Sequence, residues 1–372
     1  MVIFDFRKMV YCFAVVVFSF SCSPKNPKST GFFTGDLKEY IVDTLYLEKD
    51  TLTKSLPPSL AYVKSNGEEY LYAFVNYRLL KYSYPGGKLL SVQEFEKEGP
   101  DGIGTWIAGH LITEDGMFFI SDNKQILRTD LKGKVLDRMG LPEVGEERLS
   151  SNFNTMNGNS MTWIGSEKKL IVLDVPFVLK EPNLSYGDWI WFFDFESKEK
   201  IPTSFKYPEE YKQFLDDPEL GVYSHKYVSG KHLINFPATD SLLILEGEKK
   251  FWVDGKSSEP LTFEKGKVEP QGEWMVFHPN LNSSRYKWMI HDPYRKIILR
   301  HIVLGTEERK DLKFNKTGFI ILDEHLEKKG ELFFTNEMFS GSGFATPQGL
   351  YLKLIPQLSD DYEGYVRIRF DL

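Results

Sequence analysis

The sequence predicts an all-β fold, closed as a six-bladed β-propeller of four-stranded antiparallel blades, and three observations carry that expectation. From Tyr40 onward, short apolar or alternating runs recur with almost nothing of helical period. Between them stand turn-forming pairs such as Asn66-Gly67, Asp115-Gly116, Lys132-Gly133, Ser229-Gly230, Asp254-Gly255 and Gln348-Gly349, residue types that accept positive φ in tight hairpins. The turns are also periodic, because Asn66-Gly67 recurs as Asp115-Gly116 about 49 positions on, a propeller-like interval. A chain of 372 residues with 15% aromatic and 27% charged side chains has ample core for one large domain. Its net charge of −7 lacks the basic footprint of a nucleic-acid binder, so no nucleic-acid partner is expected.

The first element, residues 1–21, reads as a secretory signal: Arg7 and Lys8 precede an apolar run from Met9 to Phe20 that is too short to span a bilayer. The run ends in Ser19-Phe20-Ser21-Cys22, which resembles the lipobox of bacterial lipoproteins. That resemblance implies cleavage before Cys22 and acylation of its thiol and new amino group, and several acyl chains anchor stably where one is marginal. Cys12 lies in the removed segment and Cys22 would carry lipid, so the mature domain would have no thiol for a disulfide, a nucleophile or a thiolate metal site. Residues 22–39, with Ser23-Pro24-Lys25-Asn26-Pro27-Lys28-Ser29, read as a flexible tether, and residues 40–372 as the propeller. Ser23 in place of an acid after Cys22 favours, by analogy with lipoprotein sorting, an outer-membrane anchor facing the periplasm.

The strand-like runs follow in order: 70–75, 78–84, 117–120, 126–131, 170–175, 189–195, 242–245, 296–304, 318–322 and 350–354. Residues 70–76 with 80–90 align with 117–123 and 126–136, each taken as an inner strand ending in Asn and then a hairpin closing on Gly-Lys-hydrophobic. Weaker repeats pair 170–174 with 191–198, 233–236 with 242–252, 286–289 with 319–333, and 349–354 with 365–372, giving six blades. A strand near Val42 to Leu47 would pair into the last blade and close the ring. Two stacked β-sandwich domains are the alternative architecture. One short inserted helix is expected near 208–216, where Pro208, Glu209 and Glu210 precede Tyr211, Phe214 and Leu215 on one face.

The lipobox, the Pro/Lys tether, the aromatic-rich repeats and a last blade reading Ser342-Gly343-Phe344-Ala345-Thr346-Pro347-Gln348-Gly349-Leu350-Tyr351-Leu352 together resemble an uncharacterised family of Gram-negative propeller lipoproteins, of the DUF4221 type. The resemblance implies a TolB-like six-bladed propeller and a cell-envelope location. It implies no catalytic residue.

Candidate chemistry is sparse. The seven histidines show no zinc spacing, and no Gly-x-Ser-x-Gly elbow is present, so no catalytic residue is nominated. Asn76, Asp122, Asn123, Asp174 and Asn235 close the strands taken as innermost and carry the oxygens that calcium prefers, which makes them candidates for the channel or an ion there; residues at strand ends are otherwise turn formers. Asn152, Asn154, Asn157 and Asn159 mark the polar loop between the second and third blades as a candidate ligand loop. Trp252, beside Asp254-Gly255, is the candidate aromatic platform for a glycan, whereas Trp189 to Phe193 reads as core. The expectation is a lipid-anchored envelope module that binds a protein or glycan without a cofactor. An envelope hydrolase or lyase with a divalent cation in the channel is the alternative.

Overall fold

The protein is described by a computed structural model over residues 32–122, 124–156, 158–305, 316–335, 337–356 and 359–370. The expected signal, Cys22, most of the expected tether, Asn123 and Asn157 lie outside the described residues.

Six four-stranded antiparallel sheets form the ring. Blade one runs Ala61–Ser65, Glu68–Val75, Arg78–Ser83 and Leu89–Glu94 from the axis outward; blade two runs Ile107–Thr113, Gly116–Ser121, Gln125–Thr129 and Val135–Gly140. Blade three comprises Thr162–Ile164, Lys169–Leu173, Ile190–Asp194 and Lys200–Thr203, and blade four Ser224–Val228, Lys231–Asn235, Ser241–Glu246 and Lys249–Asp254. Blade five comprises Arg285–Asp292, Ile297–Val303, Lys316–Asp323 and Lys328–Thr335. Blade six takes Phe339–Thr346, Gly349–Leu354 and Tyr362–Ile368 from the C-terminal end of the chain and its outermost strand, Ile41–Glu48, from the N-terminal end, with Leu45 opposite Tyr365. The expected closing strand is thereby in place, and the sheets are blades of one ring rather than stacked sandwiches.

Alternation along each strand explains how one ring holds itself together. In Gly116–Ser121, Met117 and Phe119 pack into blade one, while Phe118 and Ile120 pack into blade three. The same division recurs around the ring, so six apolar clusters each bridge one pair of neighbouring blades. A middle strand is buried on both faces and must be apolar at nearly every position.

Antiparallel connectivity also gives the ring two unlike faces. The turns joining strands one to two and three to four lie on one, the hairpin face; the two-to-three connections and the links between blades lie on the other, the loop face. The segments 70–76 and 117–123 are the second strands of their blades, not the innermost ones as the repeat alignment has them. The fifth repeat also departs from expectation, since 286–289 belongs to a first strand and 319–333 to a third and fourth, with Ile297–Val303 between. Near 208–216 the chain forms a 3₁₀ segment, Glu209–Phe214, whose Tyr211 and Phe214 are buried among Tyr223, Phe236 and Leu220. A two-stranded hairpin, Lys267–Gln271 with Trp274–His278, interrupts the link from blade four to blade five. Among the described residues no helix is long and apolar enough to cross a membrane.

Candidate functional site

First strands converge on the axis, and their side chains enclose a central cavity of about 620 Å³. His110 comes from blade two, Thr162 from blade three, Lys226 and Tyr227 from blade four, Trp288 and His291 from blade five, and Phe344 from blade six. The Asn-rich link from blade two to blade three lies across this channel. Thr155 N donates to Ala108 O at 3.2 Å on blade two. The Asn159 side chain accepts from His225 N at 2.7 Å and donates to Tyr223 O at 3.4 Å on blade four. At blade five the backbone of Gly158 meets Trp288 so closely that a Cβ there would fall 2.2 Å from the Trp288 Cβ; its φ of +71° also suits glycine.

Lys226 Nζ donates to Ser160 Oγ at 2.9 Å, and burial pulls its ammonium down to about 8. Burial likewise lowers His110 to about 4 and holds His291 below the usual imidazole range. His291 Nε2 is buried without a hydrogen-bond partner. Behind the wall, His225 Nε2 and His232 Nδ1 share a hydrogen bond at 3.0 Å, and burial pushes both rings toward the neutral form.

The described residues nominated as ion ligands, Asn76, Asp122, Asp174 and Asn235, end second strands, one strand out from the axis. Asn76 and Tyr77 form the positive-φ turn between the second and third strands of blade one. Asp122 accepts from the backbone of Thr105 and Trp106 at 3.1 and 3.2 Å, which steadies the entry to blade two. Asp174 is fully buried and receives Arg148 Nε and Nη2, each at 2.8 Å, with Asn152 N at 2.6 Å. Asn235 Oδ1 accepts from Arg300 Nε at 2.7 Å, while its amide donates to Ser224 Oγ and Lys287 O. At Asp174 and Asn235 the cation facing the oxygens is therefore a guanidinium of the same chain. No group of three or more His, Cys, Asp or Glu side chains suited to a metal occurs among the described residues.

The loop asparagines divide. Asn154 is turned inward on its own loop, donating to Asn152 O and accepting from Met156 N, both at 2.7 Å. Asn152 and Asn154 also line a hollow of about 160 Å³ with Met156, Phe177 and Pro218, and Phe177 is 72% exposed. Beyond it lies an open groove of about 820 Å³ between Val178, Lys180 and Asp216 on one side and Lys265–Glu269 and Met275 on the other. The hairpin tip there exposes Trp274 by 76%. Trp252 sits on the outermost strand of blade four, half exposed, with its ring 5.9 Å from that of Phe236. Lys226, His291, Trp288 and the exposed hairpin are candidate-site residues that sequence reasoning passed over.

Residues 34–332 match the model of a family described as a domain of unknown function, DUF4221. Among solved structures, a DUF4221 member from Bacteroides vulgatus superposes with a TM-score of 0.70 at 15% identity, covering 88% of this chain and 97% of that one. A putative exported protein from Bacteroides fragilis superposes with a TM-score of 0.51 at 9% identity, covering 91% and 98%. No curated protein matches the chain.

Proposed function

The chain belongs to the DUF4221 family, whose function is unknown, and from that premise we propose that it is a lipid-anchored cell-envelope propeller that binds an envelope protein or glycan on its loop face. The observation that carries this reading is the exposure of large apolar side chains there. Phe177, Trp274, Met275 and Met156 stand at 72, 76, 67 and 50% beside the hollow and groove, gathered on one side of the loop face. The exported fold neighbour supports an envelope location.

The path of the N-terminal segment supports an orientation. Phe33 pairs with Gly330 on the outermost strand of blade five, and its ring lies 5.2 Å from Phe370, so the described chain enters at the hairpin face. A lipid on Cys22, ten residues before Phe32, would tether the ring from its hairpin-face side, at most ~36 Å from the bilayer, and would leave the loop face free to point away from it.

The test is cross-linking in native envelopes followed by purification of wild-type protein, a Phe177→Ser/Trp274→Ser double variant, and a Leu90→Ser control on the outer strand of blade one. A specific protein or glycan recovered with wild type and control, but reduced about tenfold with the double variant, supports the reading; equal recovery with all three refutes it.

A further inference from the structure

We propose that the central channel is a binding site for a small organic carboxylate, its head held by Lys226 and its body lying against Trp288 and Phe344. This goes beyond the loop-face reading, because neither Phe177 nor Trp274 borders the cavity.

The charge inventory of the channel points to an anion. In a chain of net charge −7, the cavity wall carries one charged side chain, Lys226, and no carboxylate. An ammonium has three donors. One of them goes to Ser160 Oγ, and no acidic side chain pairs with Lys226 among the described residues. On the neighbouring first strand of blade five, His291 also borders the cavity and brings no negative charge to it. The donors that Lys226 leaves unused bond to whatever fills the cavity, and an occupant that supplies a charged acceptor makes the stronger bond. The ammonium repels a metal cation, so the occupant these groups select is an acceptor of hydrogen bonds.

Charge and size narrow the class. Burial keeps His110 and His291 neutral at pH 7, so the wall presents a single positive charge, which matches a monoanionic carboxylate better than a dianionic phosphate. The cavity, at about 620 Å³, has room for an organic body and not only for an ion. Trp288 has its indole N–H committed to Gly341 O at 2.6 Å, and Phe344 stacks on Tyr351 with centroids 5.1 Å apart. What both offer the cavity is apolar surface.

Titration calorimetry on the full chain with benzoate, and with benzamide as its neutral isostere, tests the site. Expected is saturable one-to-one benzoate binding at pH 7, with benzamide about tenfold weaker or worse, benzoate binding lost about tenfold in Lys226→Gln, and affinity within about threefold of wild type in Lys226→Arg. A second arm needs no variant. The titratable groups around Lys226 are His225 and Tyr227 on its own strand, His291 on the neighbouring first strand of blade five and His110 on blade two; burial pushes the Tyr227 phenol up. The three imidazoles are neutral already at pH 7, so benzoate affinity should fall about tenfold between pH 7 and pH 10 as Lys226 loses its proton. No benzoate binding up to about 10 mM, equal binding of benzamide, or an affinity indifferent to both Lys226→Gln and pH overturns the proposal.

Discussion

Arg148 and Arg300 show how this ring uses charge in its interior. Arg148 bridges a blade link to Asp174 at the end of a second strand, both side chains being at most 5% exposed. Arg300 lies 3.5 Å over the Tyr286 ring and caps the carbonyls of Thr239 and Gly255 at 2.6 and 2.8 Å, tying blade four to blade five. Removing one partner of such a buried pair strands the other. Asp174→Asn should therefore lower unfolding stability by roughly 3–5 kcal/mol in urea titrations, with much of the loss recovered by adding Arg148→Met; a neutral single variant would refute the assignment. From sequence, Asp174 and Asn235 stand out as oxygens that face a cation. Their arginines, 26 and 65 positions away, obey no local spacing and are visible only once the ring is closed. Lys226 is hidden for a related reason. Within Ser224-His225-Lys226-Tyr227-Val228-Ser229-Gly230 it reads as the polar half of an ordinary alternating strand.

Strand position within a blade decides what could be read from the chain. Second and third strands, such as Met117 to Ile120 and Leu170 to Leu173, are buried on both faces and announce themselves as unbroken apolar runs. First strands carry polar residues toward the axis and fourth strands carry them toward solvent, so Ile107–Thr113 and Val135–Gly140 blend into their turns and the repeat frame slips by one strand. The 208–216 segment has helical composition, yet the need to bury Tyr211 and Phe214 between blades within a short link selects a 3₁₀ segment. The link from the closing strand to blade one carries its own clamp, in which Arg78 and Thr53 hold the Asp50 carboxylate. Arg78 keeps that carboxyl down at about 2, below its ordinary 3.8, so its stabilising effect is complete above pH 4 and is lost as pH falls toward 2. Wild type should exceed Asp50→Asn by on the order of 1–2 kcal/mol near pH 6, with the gap closing toward pH 2 in matched urea titrations; a gap that persists in acid would argue against the clamp.

At the scale of the whole molecule, the aromatic content that first signals only a large core is shared out among six interfaces, and the rings left exposed gather their meaning from that. The proposed anchor belongs to this scale too. Cys22→Ser should move the protein from the membrane pellet to the soluble fraction on ultracentrifugation, whereas an unchanged pellet would disprove lipid attachment. The shared sixth blade, finally, sets the order of events when the chain is made. Ile41 is made long before its partner Ile368, so the ring cannot shut until the third strand of blade six is in place. Blade six keeps an unpaired edge until Tyr362–Ile368 has been made, and its closing pair joins the most distant strands of the ring, whereas the other pairings join consecutive strands. A chain of this design needs protection from copies of itself until Ile41–Glu48 and Tyr362–Ile368 meet.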